Sequence, residues 1–216
     1  MYIVFMDSFH STDFFDVTAF AHSKLFLKDQ FAWEGLKALK TYFSSLTLGK
    51  IECTIPEGVT LVNPHLISIG KGTVIQPNTY IEGPCFIGKG CEVRFGAYLR
   101  SFVLTGDQCV LGHSSEVKHS ILFNKAKVPH FNYVGDSILG NAVNLGAGVV
   151  CANFRLDHKE VIIRAKEHMI KSGLKKMGAI IGDGSQIGCN SVINPGILLK
   201  KKSLFSPCSS INKSSV

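Results

Sequence analysis

No stretch of this sequence is apolar over the roughly 20 residues that a membrane-spanning helix needs. The opening residues, MYIVFMDSF, carry neither a positive leader nor an apolar run long enough for a secretory signal. No two of the cysteines at 53, 85, 91, 109, 151, 189 and 208 stand in Cys-x-x-Cys spacing, and their number is odd, so neither a disulfide framework nor a zinc ribbon organises the chain. Acidic residues are few, 16 against 23 Lys and Arg, yet no basic-aromatic run of the kind that binds nucleic acid accompanies that excess. These absences lead us to expect a cytoplasmic protein with buried free thiols and no bound metal, in contact with neither membrane nor nucleic acid. Its net charge of +7 then points to a small anionic partner.

What is present is mostly a repeat. Aliphatic residues return every six positions at Ile69, Ile75, Ile81, Ile87, Val93 and Leu99, and after a break at Thr105 they return at Leu111 and Val117. The frame resumes, shifted, at Leu139 and Leu145, and again at Ile181, Ile187 and Ile193. A period of six suits neither an amphipathic helix nor an alternating strand. It suits an all-β hexapeptide β-helix, in which three short strands make one triangular coil and each aliphatic residue stacks on its equivalent one coil later. Coils rise by about 4.8 Å, the spacing of paired strands.

Three segments stand outside the repeat. Residues 1–50 read as a helical arm, since Ala32, Leu36, Leu39, Phe43 and Leu46 recur at helical spacing, with Asp29 placed to cap the start and Gly49 after the end. The β-helix domain is expected over 51–206, interrupted at 161–178 by a hairpin that carries Arg164, Lys166, Lys171, Lys175 and Lys176. The serine-rich residues 207–216 are expected to form a flexible tail.

Chemistry concentrates between Glu116 and Lys159, where His130 follows a proline and the frame slips over Phe123–Gly135. The segment KVPHFNYVGDSILGNAVNLGAGVVCANF resembles the acetyltransferase half of the bifunctional GlmU-type N-acetylglucosamine-1-phosphate uridylyltransferases. It also resembles the archaeal-type sugar-1-phosphate nucleotidylyltransferases that carry the same C-terminal domain, over roughly residues 51–205. The resemblance implies a left-handed coil, trimers with sites in the clefts between neighbours, and acetyl-CoA as co-substrate. It implies that His130 is the general base and that Arg100, Lys118, Tyr133, Asn144 and Lys159 contact an amino-sugar 1-phosphate. It places Asn153 near the acetyl group, with Phe154, Cys189, Lys175 and Lys176 on the coenzyme A side; Glu116 is assigned either to orienting His130 or to binding the amine. Phe154–Arg155 replace a usual Tyr–Asp pair, and Cys189 replaces a serine.

The chemistry fits those residue types. A histidine can take the amine proton as nitrogen attacks the thioester carbonyl, and Arg100, Lys118 and Lys159 can surround a phosphate dianion. The expected activity is therefore N-acetylation of glucosamine 1-phosphate for UDP-N-acetylglucosamine synthesis, without a uridylyltransferase domain, which a separate nucleotidyltransferase partner would supply. The alternative is a non-catalytic hexapeptide subunit that binds sugar phosphates or scaffolds such a partner. A zinc hydratase on the same fold is disfavoured, because His113, His119 and His130 lack its spacing.

Overall fold

The computed structural model describes residues 9–27, 29–165 and 168–215; the opening octet and Lys166, on which two of the expectations above bear, lie outside them. The hexads fold as their period implies. Three parallel sheets form the walls of a left-handed β-helical prism: a first face of eight strands from Thr60–Val62 to Ser210–Ile211, a second of seven from Ile67–Ile69 to Ile197–Leu199, and a third of seven from Val74–Ile75 to Leu204–Phe205. Inside, the aliphatic residues stack in columns; one runs through Ile69, Ile87, Leu122, Leu139, Ile181 and Leu199. The break at Thr105 is tolerated because its side chain has the shape of valine and its hydroxyl is satisfied. Thr105 Oγ1 accepts from Gly88 N at 3.0 Å and donates to Gly106 O at 3.0 Å.

The slip in the frame does not lie where the sequence placed it. Leu122, Val128 and Val134 keep the spacing of six, all fully buried. The missing residues are at two corners between the first and second faces. Val117 pairs with Val134 and Leu122 with Leu139, a coil of 17 residues, whereas Val93 pairs with Leu111 across the usual 18. Each shortened corner turns on one left-handed residue, His119 (φ 44°) and Asp136 (φ 46°). His130 lies between the two shortened corners, in the hexad Val128–Val134 that keeps its six residues, and pairs with His113 across 17.

The tail is also not frayed. The hexads continue to Phe205 and Ile211, and Ser210–Ile211 pairs with Val192–Ile193 while Ile211 buries itself in the core. The serines there serve the turns: Ser191 Oγ accepts from Ser209 N, and Ser209 Oγ donates to Ser206 O. Serine composition suggested disorder; at coil corners it supplies hydrogen bonds.

The arm packs on its own prism. It holds α1 (Ser11–Phe14) and α2 (Glu34–Ser44), and its Phe14, Phe15, Phe20, Phe26, Trp33, Leu36, Leu39 and Phe43 share a second core with Leu104, Ile121, Phe123, Ile138, Ile180 and Leu198 of the second face. That explains why strands such as Ile197–Leu199 read as unbroken apolar runs: they are buried on both sides. Asp29 does not cap α2, whose first turn follows Trp33 without a side-chain cap; Gly49 takes a left-handed conformation beyond the helix end. Polar anchors add to the apolar contact, since Asp183 accepts from Asp16 N and Asn124 Nδ2 donates to Ala19 O. The hairpin is a pair of antiparallel strands, Ile162–Ala165 and His168–Lys171. It does not merely project: Val161, Ile163 and Met177 are fully buried against the same second core.

His22 belongs to this interface and gives it a pH dependence. Its ring is 5% exposed, Nδ1 meets Tyr42 Oη at 2.9 Å, and burial pushes its pKa down from 6.5 to about 4. Between those values the unfolded chain holds more protons than the folded one, so stability falls as the pH drops from 6.5 to 4, by up to about 3 kcal/mol. Thermal melts across that window should fall less steeply for His22→Gln than for the wild type. Identical slopes would show that His22 does not couple folding to pH.

Candidate functional site

The first face carries the polar cluster. Its strands Tyr98–Leu99, Glu116–Lys118, Tyr133–Gly135 and Val150–Cys151 lie side by side. Side chains one coil apart on such a wall are neighbours. Arg100 Nη1 donates to Glu116 Oε1 at 3.0 Å, and that bond raises the pKa of the guanidinium. Lys118 Nζ donates to Asp136 Oδ2 at 2.9 Å. Asn153 Nδ2 donates to the same Oδ2 at 2.5 Å. His119 Nδ1 lies 3.0 Å from Asp136 Oδ1, outside hydrogen-bond geometry. Burial alone would raise the Asp136 carboxyl. The groups of His119, Lys118 and Asn153 around it outweigh burial and hold its pKa below the usual value. Burial, together with the negative charges of Glu116 and Asp136, raises the Tyr133 phenol.

Gly135 is the floor of the cluster. A Cβ there would lie 2.5 Å from Asn153 Nδ2 and 2.7 Å from Tyr133 Oη, so only glycine lets those two side chains close over the strand.

His130 ends the strand Lys127–His130 on the third face, at the corner that leads into the first. The turn after it is fixed from within: buried Asn132 accepts from His130 N at 3.0 Å and donates to Gly146 O at 2.7 Å. The imidazole itself is exposed, and among the described residues no side chain bonds it. Glu116 accepts from Arg100 at its Oε1, and no hydrogen bond joins it to the imidazole among the described residues. The ring of His113, one coil below His130, is flanked by Phe95 and Phe131, whose centroids lie at 5.9 and 5.0 Å.

The other expected site residues are not gathered by a single chain. Asn144 is on the third face and Cys189 in the turn that leads from it into the first; both line an open cavity of about 430 Å³ with Gln186, Gly188 and Leu204. Lys159 is exposed on the loop after Asp157, which accepts from its N–H. Phe154 meets Lys176, whose Nζ lies 5.7 Å from the ring centroid. Beside them, Ala152, Arg155, Arg164 and Asn194 line a second cavity of about 590 Å³. Lys175 is exposed without a described partner. Of the thiols, Cys85, Cys91, Cys109 and Cys151 are buried as expected, with burial pushing Cys151 up to about 12, while Cys189 and Cys208 are exposed. Among the described residues no three His, Cys, Asp or Glu side chains are arranged to hold a metal ion, and no helix is long and apolar enough to cross a membrane.

Sequence reasoning did not single out Asp136, and weighed His119 only as a metal ligand that lacks the spacing. The signal was present, because the shortened hexads Val117–Leu122 and Val134–Leu139 contain them.

Comparison with known proteins agrees with the fold and the motif. The family model described as the GMPPB C-terminal domain matches residues 81–174. The chain is 40% identical over 157 residues to a bifunctional sugar-1-phosphate nucleotidylyltransferase/acetyltransferase of Sulfurisphaera tokodaii, an alignment that covers 64% of this chain and 39% of the relative. It is 38% identical over 173 residues to the bifunctional protein GlmU of Methanococcus maripaludis, covering 80% of this chain and 41% of the relative. It is 29% identical over 203 residues to the bifunctional protein GlmU of Carboxydothermus hydrogenoformans, covering 76% of this chain and 42% of that relative. The chain thus spans about two fifths of the length of the curated relatives it matches.

Proposed function

This chain carries a GlmU-type acetyltransferase domain, and from that premise we propose that it transfers an acetyl group from acetyl-CoA to the amine of an amino-sugar 1-phosphate, foremost glucosamine 1-phosphate. The observation that carries this is the convergence of Arg100, Lys118, Tyr133 and Asn153 on adjacent coils beside His130. Two cations offer hydrogen bonds to a phosphate, and an exposed imidazole stands one corner away with no competing partner among the described side chains.

In the reaction the neutral amine attacks the thioester carbonyl carbon, forming the C–N bond. The C–S bond breaks, the amine proton passes to His130, and coenzyme A leaves as the thiol after taking up a proton. His130 then returns to its starting state by releasing that proton. Asn144 lies on the third face, away from Lys118 and Tyr133 on the first face of the same prism. A complete site accordingly forms where the first face of one copy meets the third face of another, the second face being taken by the arm. This supports a homotrimer.

The test is thiol release from acetyl-CoA with a panel of acceptors. Glucosamine 1-phosphate and galactosamine 1-phosphate should both release thiol, one preferred, and glucosamine without phosphate should react at least roughly tenfold less efficiently, the effect of one lost charge-assisted contact. Binding of sugar phosphates without thiol release from any of them would favour a non-catalytic subunit that scaffolds a nucleotidyltransferase.

A further inference from the structure

The Asp136 carboxylate leaves its neighbours one arrangement. It is 5% exposed and surrounded by donors. An ionised carboxylate only accepts hydrogen bonds, so the amide of Asn153 must turn Nδ2 toward it, and the same contact leaves Oδ1 as the atom not committed to the carboxylate. Lys118 gives Asp136 one of its three N–H bonds and keeps two. A buried carboxylate thus sorts the cluster. It takes donors on its own side, and it leaves an ammonium for an anion and an amide oxygen for an N–H or O–H on the other.

A ligand with a phosphate at one end and an amine or hydroxyl at the other matches that sorting. The backbone supports it as well: the shortened corner puts Asp136 in the left-handed region, where Asp and Asn are among the residues tolerated.

We propose that Asp136 is a positioning residue for the transfer reaction, fixing the Lys118 ammonium and the outward oxygen of Asn153 before the amino-sugar phosphate arrives. The role rests on the acyl-transfer assignment. It is distinct from catalysis, because Asp136 acts only through Lys118 and Asn153.

Asp136→Asn tests it directly, since asparagine keeps the shape and accepts the same backbone conformation. The variant should stay folded, with kcat/KM for the amino-sugar phosphate at least roughly tenfold lower, consistent with losing a buried charge-assisted contact. Most of that fall should lie in KM for the sugar phosphate, with KM for acetyl-CoA unchanged.

The exchange Asp136→Asn with Asn153→Asp rebuilds an amide–carboxylate pair but moves the charge away from its place beside Lys118 and His119. It should regain thermal stability without regaining turnover. Recovery of both together would show that the pair is only structural and would overturn the proposal. Should Asp136→Asn fail to fold, Gly135→Ala disturbs the same geometry by another route. Gly135 is not in the left-handed region, so alanine fits the backbone, and its Cβ displaces only the tips of Asn153 and Tyr133. The same tenfold loss is expected. Wild-type kinetics in an intact folded Asp136→Asn or Gly135→Ala would overturn the positioning role alone, whereas a wild type that acetylates no amino-sugar phosphate would overturn the acyl-transfer assignment beneath it.

Discussion

Replacing His130 with alanine should lower kcat for acetyl transfer by roughly a hundredfold to ten-thousandfold, the range that one positioned general base contributes. The fold should be untouched. His130 lies exposed at a corner, and the turn beyond it is held by the backbone and by Asn132, not by the imidazole. Melting temperature should therefore match the wild type while turnover collapses. Sugar-phosphate binding should persist, because Arg100 and Lys118 are anchored by Glu116 and Asp136 and neither touches the ring. Turnover within threefold of wild type, about 0.65 kcal/mol of barrier, would remove His130 from the chemistry.

The second large effect is on stability. Phe123→Ala should cost about 3–5 kcal/mol, as for other fully buried phenylalanines. Phe123 is where three arm aromatics converge on the second face: Phe20 at 4.0 Å, Phe15 at 4.7 Å and Phe26 at 5.1 Å between ring centroids. Its loss opens a cavity between two packed layers that cannot collapse without moving the coil. Urea denaturation should register the loss, and limited proteolysis should cut the arm before the prism. At temperatures where the variant remains folded, acetyl transfer should be retained, since the arm covers the second face and the polar cluster occupies the first. A loss below 1 kcal/mol, against the several expected of a buried aromatic, would mean that the arm does not dock through this ring.

Much of this was legible in the sequence. Ile69 through Leu99 announce the coil by period alone, because an inward column admits only aliphatic residues and each corner is paced by the strand length. Where the period was misread, the cause is physical. The frame looked broken near His130 because a count of six from Val117 lands on Phe123, Pro129 and Gly135, each one residue past the buried Leu122, Val128 and Val134. The true irregularity costs one residue at each of two corners. It is nearly invisible by composition, since a left-handed His119 or Asp136 replaces a two-residue turn with no glycine to mark it. The tail misled for a related reason: serine serves disordered ends and coil corners alike, and only the recurrence of Phe205 and Ile211 at the hexad spacing distinguishes them. Which side chains would meet was legible for Lys118 and Tyr133, which share one wall. It was not for Asn144, Cys189 and Lys159, because a linear motif does not say which face or corner of a prism each residue occupies.

The most direct measurement is the mass and linkage of the sugar phosphate recovered after incubating the wild-type protein with acetyl-CoA and glucosamine 1-phosphate. One acetyl group attached through an amide to the sugar nitrogen, formed in step with released coenzyme A, is the expected result. Recovery of unmodified glucosamine 1-phosphate, with acetyl-CoA intact and the sugar phosphate still bound by the protein, would contradict it.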